Sequence, residues 1–204
     1  MKVSSAAIAA EVLRGGGLVV APTDTVYGIL ADSTNDEAIR KVYAVKKRVD
    51  SKPLLLLISS ICMARNVAYF SEQAEAIADH FWNSRKLPLT IVLAKANVTA
   101  YNISPLATAG GNTIAVRLPN HKLIVDIIEA LGVPVVAPSA NISGQRPSTT
   151  YEEAKMEWDG LIDLVLDGGC TPTATASTIL DLSSGKKKIL REGAVAASDI
   201  EDFR

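Results

Sequence analysis

Val19-Val20-Ala21-Pro22-Thr23-Asp24-Thr25-Val26-Tyr27-Gly28 is an apolar run that breaks into a proline-started, hydroxyl-rich turn. The run suits a buried strand, and the polar residues after Pro22 either shape a turn or recognise a small polar molecule. The pattern recurs at Val135-Val136-Ala137-Pro138-Ser139-Ala140-Asn141-Ile142-Ser143-Gly144, again an apolar strand emptying into small hydroxyl and amide residues. In open α/β sheets ligands bind beyond the carboxyl ends of strands, where both loops are expected. Either segment alone also reads as an ordinary turn, so the rest of the chain has to decide.

Working outward, Ser4 or Ser5 caps a helix to Arg14, which Gly15-Gly16-Gly17 ends before a strand from Leu18 to Ala21. Thr34 and Glu37 have capping-box spacing, and Ala38, Ile39, Val42 and Val45 recur at helical intervals up to Lys46. Leu54 to Ile58 suits a strand buried on both faces, Glu72 to Trp82 a helix, and Leu89 to Leu93 a strand. Thr113-Ile114-Ala115-Val116-Arg117 alternates as a half-buried strand does. Leu123, Ile124, Ile127, Ile128 and Leu131 then make a helix stopped by Gly132, and Val133 to Ala137 returns to strand. Thr150 and Glu153 form a second capping box for a helix to Trp158, followed by strand character at Leu164 to Leu166. Thr178 to Leu182 and Lys188 to Arg191 flank Ser183-Ser184-Gly185, a hairpin signal. Interleaved strands and helices with a terminal hairpin predict an α/β domain on a mixed sheet.

Composition narrows the function classes. With 204 residues, 48% hydrophobic and 21% charged, the chain can bury a full core without disulfides or a structural metal. No apolar run approaches the roughly 20 residues that span a bilayer, and the N-terminus passes directly into a helical pattern, so a cytoplasmic protein is expected. Cys62 and Cys170 are too few for a disulfide framework and read as buried apolar residues. His80 and His121 stand beside no nucleophile, which disfavours a histidine-dependent triad. A net charge of −1 removes the global electrostatic case for nucleic acid while leaving room for a local basic groove.

Four cations, Lys46, Lys47, Arg48 and Lys52, lie within seven positions between a helix end and a buried strand. Cations favour helix C-termini without any ligand. Lys46, Arg48 and Lys52 are nevertheless placed to converge on one anion, with a triphosphate the natural candidate. Arg117 and Arg191 each end a strand; each also reads as a solvated edge charge. Thr175-Ala176-Ser177-Thr178 puts hydroxyls at the entrance to the strand leading toward Arg191. The chain has no glycine-rich phosphate loop, since Gly15-Gly16-Gly17 precedes a strand.

Together these segments resemble the YrdC family of threonylcarbamoyl-AMP synthases. Four blocks stand in family order: Pro22 to Gly28; Lys46-Lys47-Arg48 with Lys52-Pro53-Leu54; Pro138 to Gly144; and Ser177 to Asp181 followed by Ile189-Leu190-Arg191-Glu192-Gly193. The resemblance implies a single YrdC-like domain over 1–204, a twisted mixed sheet with flanking helices, and a nucleotidyltransferase. Threonine and bicarbonate would form a carbamate that attacks the α-phosphate of ATP, giving pyrophosphate and threonylcarbamoyl-AMP for tRNA modification. It implies Lys46, Arg48, Ser139 and Asn141 as catalytic, and Thr25, Arg117 and Ser177 around threonine. Arg48, Lys52, Thr113, Ala137, Ser139 and Arg191 would hold the nucleotide, with Ala137 acting through its backbone, while Thr23 and Asp24 shape the turn. No dedicated metal-binding carboxylate cluster is evident, so Mg2+ is expected to arrive with ATP; downstream tRNA-modifying transferases are the expected partners.

Two departures stand out. Asn83-Ser84-Arg85-Lys86-Leu87-Pro88 is longer and more basic than the family's turn, and Leu57 falls where some relatives carry histidine. The additional C-terminal domain of longer relatives is not expected. The alternatives are an RNA-binding module using Lys46, Lys47, Arg48, Lys52, Arg85 and Lys86 as a basic groove, or a paralogue with another carbamoylated substrate.

Overall fold

The computed structural model describes residues 4–97 and 99–203, so the ends of the expected 1–204 domain lie outside the described residues. In chain order the elements are α1 (Ser5–Arg14), β1 (Val19–Ala21), β2 (Gly28–Asp32), α2 (Asp36–Val45), β3 (Leu55–Leu57), α3 (Ile61–Arg65) and α4 (Glu72–Ala78). A π-helical turn (Asp79–Ser84), β4 (Leu89–Ala94), a 3-10 turn (Pro105–Thr108), β5 (Thr113–Arg117), α5 (Lys122–Leu131) and β6 (Val135–Val136) come next. The chain ends with α6 (Tyr151–Trp158), β7 (Leu164–Val165), β8 (Thr178–Asp181), β9 (Lys188–Arg191) and α7 (Ala197–Glu201).

The strands join one sheet in the order β7-β1-β2-β6-β3-β5-β4-β8-β9. Pairings β1–β7, β3–β5 and β4–β8 are parallel and the others antiparallel, so the sheet is mixed. Helix α1 packs on α5 and against β1 and β2, and α2 packs on β2. The apolar stripe of α5 explains its place: Ile124, Ile127 and Ile128 are fully buried, and Gly132 stops the helix in the left-handed region at φ 87°.

Several expectations shift. Asn35, not Thr34, caps α2, its side chain accepting from Ala38 N; Thr34 instead turns its N–H and hydroxyl toward Asp32 Oδ1 at 2.8 and 2.7 Å. The helix expected to reach Trp82 leaves α geometry at Asp79. Arg85 N bonds to His80 O five residues back, and Trp82 Nε1 bonds to Leu89 O at 2.7 Å, so the longer Asn83 to Pro88 loop is absorbed as a wide turn. Cys62 and Cys170 are both exposed rather than buried, Cys62 on the solvent side of α3 and Cys170 in the loop after Gly169. The sequence reading missed β2, α3 and α7. No helix among the described residues is long and apolar enough to cross a membrane.

Candidate active site

The site begins with how its loops are tied together. Ile29 N bonds to Pro138 O at 2.9 Å, Ala140 N to Tyr27 O at 2.6 Å and Tyr27 N to Ser148 O at 3.0 Å. Both hydroxyl-rich loops are therefore one piece of structure, because β2 and β6 are antiparallel neighbours. The C-terminus of α2 joins them: Ser143 N bonds to Lys46 O at 2.9 Å, and the Lys46 ammonium donates to Ser139 O and, at 2.7 Å, to Asn141 O.

Beneath these loops lies a cavity of about 280 Å3. Its floor is a sheet face, with Leu55, Ala115, Arg117, Thr90, Val92 and Ile179 brought side by side by the register of β3, β5, β4 and β8. Because the sheet is mixed, the site is built partly from strand starts as well as from the carboxyl ends the sequence reading emphasised. Thr25, Arg48, Ala137, Ser139, Ser177 and Arg191 complete the wall. A contiguous hollow of about 320 Å3 shares Arg48 and Ser139 and adds Lys46, Lys52, Asn141 and Ser143. Thr113 is not brought to either; it shares the β5 face with Ala115 and Arg117 but sits exposed at the strand's start.

Arg117 is 3% exposed, so it is not the solvated edge charge that its position allowed. Its Nη1 donates to Thr25 Oγ1 at 3.2 Å, and its Nη2 lies 3.4 Å from Asp24 Oδ1. Thr25 and Thr23 hydroxyls are 3.0 Å apart, and Thr23 donates to Val26 O at 2.7 Å, so Thr25 donates to Thr23, accepts from Arg117 and keeps one free acceptor site. Asp24 Oδ2 accepts from Asn120 N, 96 residues away, so Asp24 does more than shape its turn. Across the cavity Ser177 Oγ is 2.8 Å from Thr90 Oγ1, and Arg191 Nη2 donates to Ser177 O at 2.7 Å. Thr90 escaped the sequence reading because a threonine inside a β-strand is an ordinary strand former.

Burial lowers the proton affinity of four cations here, Lys46, Arg48, Arg117 and Arg191. It is the main cause for Arg48, Arg117 and Arg191, with the charge of Arg117 adding to the effect on Arg191. Lys46 is 2% exposed and drops to about 8, through burial first and the neighbouring Arg48 second. A desolvated cation gains most from an arriving anion.

Lys46 and Asn141 spend their polar atoms on the loop itself. Asn141 Oδ1 accepts from Ser139 Oγ at 2.5 Å and faces Lys46 Nζ at 3.4 Å, while Nδ2 donates to Ile142 O and Gln145 O, both at 2.8 Å. Arg48 is oriented by the carbonyls of Lys52 and Pro53, at 3.4 and 3.0 Å. Neither His80 nor His121 lines either of these two cavities. Among the described residues no group of three or more His, Cys, Asp or Glu is placed to hold a metal ion; the lining offers hydroxyls and cations, which do not fit a resident Mg2+.

Gly193 shows how closely the wall is drawn. A Cβ there would stand 2.2 Å from Ala176 O and 2.7 Å from Ser177 C, both backbone atoms. Gly193→Ala should therefore cost about 1–3 kcal/mol by overpacking, a melting point lower by roughly 2–12 °C for a chain of this size. Calorimetry checks it, and an unchanged melting point would refute the close approach.

A mixed sheet carrying a cavity lined by hydroxyls and partly desolvated cations defines an α/β protein with a pocket whose chemistry suits an anionic small molecule. The Sua5_yciO_yrdC family model, described as "Telomere recombination", matches residues 11–193, and the chain belongs to this family. The threonylcarbamoyl-AMP synthase of Pyrococcus abyssi is 36% identical over 195 residues, covering 95% of this chain and 55% of the relative. That of Bacillus subtilis is 35% identical over 195 residues, covering 95% and 54%. The structure of P. abyssi Sua5 complexed with L-threonine superposes with a TM-score of 0.90 at 34% identity, covering 100% of this chain and 58% of that one. The chain spans about half the length of these relatives.

Proposed function

We propose that this chain is the catalytic domain of an L-threonylcarbamoyladenylate synthase, a nucleotidyltransferase that makes threonylcarbamoyl-AMP from L-threonine, bicarbonate and ATP. What carries the reading is one cavity lined at once by Thr25, Arg117 and Ser177 and by Arg48, Ser139 and Arg191. The names of its relatives and the threonine held by P. abyssi Sua5 support it.

The threonine amine attacks the carbon of bicarbonate, and loss of water leaves a carbamate. A carbamate oxygen then attacks the α-phosphorus, and the bond to the β-phosphate oxygen breaks, releasing pyrophosphate. No protein nucleophile is needed, only positioning and cations where charge develops. Arg117 takes the threonine carboxylate, with Thr25 and Ser177 fixing the rest of the amino acid. Arg48 and Arg191 meet phosphate oxygens, Ser139 and the Ala137 backbone orient the nucleotide, and the departing pyrophosphate extends toward Lys52. Thr113, outside both cavities at the exposed start of β5, would meet only the nucleoside end. Lys46 and Asn141 act through the loop they hold. Mg2+ enters bound to the phosphates. The product passes to tRNA-modifying transferases in the cytoplasm.

Pyrophosphate release from ATP, with threonine or bicarbonate omitted in turn, tests the proposal; release that ignores both omissions overturns it, and release restored by another amine but not by threonine points to another carbamoylated substrate. The RNA-binding reading loses ground because Lys46 is buried in hydrogen bonds and Arg85 has Asp199 at 3.9 Å. Arg48→Ala should lower turnover about tenfold to a hundredfold, the worth of a charged hydrogen bond or two, and leave the melting point nearly unchanged. Near-normal turnover would remove Arg48 from the phosphate site.

A further inference from the structure

Three guanidinium groups, Arg48, Arg117 and Arg191, line one cavity, which on the proposed function admits two different anions, an amino-acid carboxylate and a triphosphate. Among the described residues only Arg117 of the three has a counter-charge. It lies 3.4 Å from Asp24, and both side chains are about nineteen-twentieths buried, at 4% and 6% exposure. Among the described residues no carboxylate comes within 4.0 Å of Arg48 or Arg191. Asp24 is outside the cavity lining, so it reaches substrate only through Arg117. Its own place is fixed by Asn120 N on Oδ2, just before α5. Neither Asp24 Oδ1 nor Arg117 Nε has a hydrogen-bond partner, which makes the contact one of charge more than of alignment.

We propose that Asp24 is a positioning residue that sorts the two substrates by charge: it neutralises Arg117, so the triphosphate is drawn to Arg48 and Arg191 and the Arg117 end stays open to the single carboxylate of threonine. The inference rests on the threonine reading above. A neutralised guanidinium keeps its directed N–H donors but loses most of its long-range attraction, so it holds a carboxylate that the surrounding hydroxyls also position and gives a polyanion little reason to invade. An uncompensated Arg117 would be the most desolvated cation of the three and the strongest lure for phosphate.

The test is competition. L-Threonine is titrated into wild type and Asp24→Asn by calorimetry, with and without saturating inorganic tripolyphosphate, which must itself bind both proteins. In wild type the threonine Kd should change by less than about twofold, and in Asp24→Asn it should rise about tenfold or more, competitively, within the usual range of coupling between sites. A structural role alone lowers affinity without making tripolyphosphate a competitor. Competition in wild type, or its absence in a folded Asp24→Asn, overturns the proposal. Should Asp24→Asn not fold, Asp24→Glu keeps the charge and must still exclude tripolyphosphate; loss of exclusion there counts equally against it. Absence of threonine binding to wild type sinks the threonine reading itself, a different result from a wrong competition pattern.

Discussion

Arg117→Ala should lower kcat/KM for threonine by roughly a thousandfold while changing KM for ATP by no more than about twofold. The guanidinium is 3% exposed, linked to Thr25 and paired with Asp24, so its removal acts in two ways. The contact proposed for the substrate carboxylate is lost, and Asp24 is left as an unpaired buried charge, a change that costs about 3–5 kcal/mol. On the reaction side, about 4 kcal/mol corresponds to a thousandfold, at 1.4 kcal/mol per tenfold. On the folding side a loss of about 3–5 kcal/mol predicts a melting point lower by about 6–20 °C. Because the alanine variant combines both effects, Arg117→Lys separates them. A lysine keeps the charge beside Asp24 but not the planar fork, so it should restore most of the stability and little of the threonine affinity. Initial rates over a threonine series, with calorimetry on both variants, decide it. Near wild-type threonine kinetics in either variant would mean that the carboxylate binds elsewhere.

The contrast between Arg117 and Asp24 shows what could be read in the chain alone. Arg117 stood out because a charge closes an alternating strand, and charges that end strands usually either leave the protein or enter a site. Asp24 gave no such sign, since aspartate after proline is ordinary turn chemistry, and its partner Asn120 lies 96 residues away. The same division runs through the fold. α5 was legible from its stripe and Gly132, whereas β2 was missed because Gly28-Ile29-Leu30-Ala31-Asp32 continues directly from the polar turn. Pairing with β1 on one side and β6 on the other makes a strand of it, and the bridge from Gly28 to Ser139 also welds the two hydroxyl-rich loops together. Local pattern marks residues that will be buried or capped; the order β2-β6-β3-β5-β4-β8, which decides which of them share a cavity, is a long-range property. Lys52 and Thr113 show this from the other side. Both resembled nucleotide contacts by motif, yet Lys52 lines the outer hollow and Thr113 neither cavity.

Lys46→Met should reduce turnover at least about a hundredfold at pH 7.5 and abolish an alkaline limb that wild type shows near pH 8. The ammonium faces three acceptors, Ser139 O, Asn141 O and Asn141 Oδ1, and no carboxylate lies within 4.0 Å among the described residues. Three acceptors use the three hydrogens of the charged form; the neutral amine has two, so deprotonation releases Asn141 Oδ1 and with it the anchor of Ser139 Oγ. Methionine fills similar space with no donor, leaving two buried carbonyls unpaired at about 1–3 kcal/mol each. Stability runs the other way with pH. Burial lowers the proton affinity of Lys46 from 10.5 in the unfolded chain to about 8 in the folded one. Below about pH 8 both states carry the proton, and the folded state bears the full cost of a desolvated charge, on the order of 3 kcal/mol. Between about 8 and 10.5 the unfolded chain binds more protons than the folded one, so this group's contribution makes unfolding harder as pH rises. Wild type should therefore lose activity over the pH range in which Lys46 adds stability, and Lys46→Met should show neither trend. A pH profile of kcat beside urea midpoints at pH 7, 8 and 9 measures both. If the two proteins share one alkaline limb, the proton belongs to another group and Lys46 is only a spacer beneath the loop.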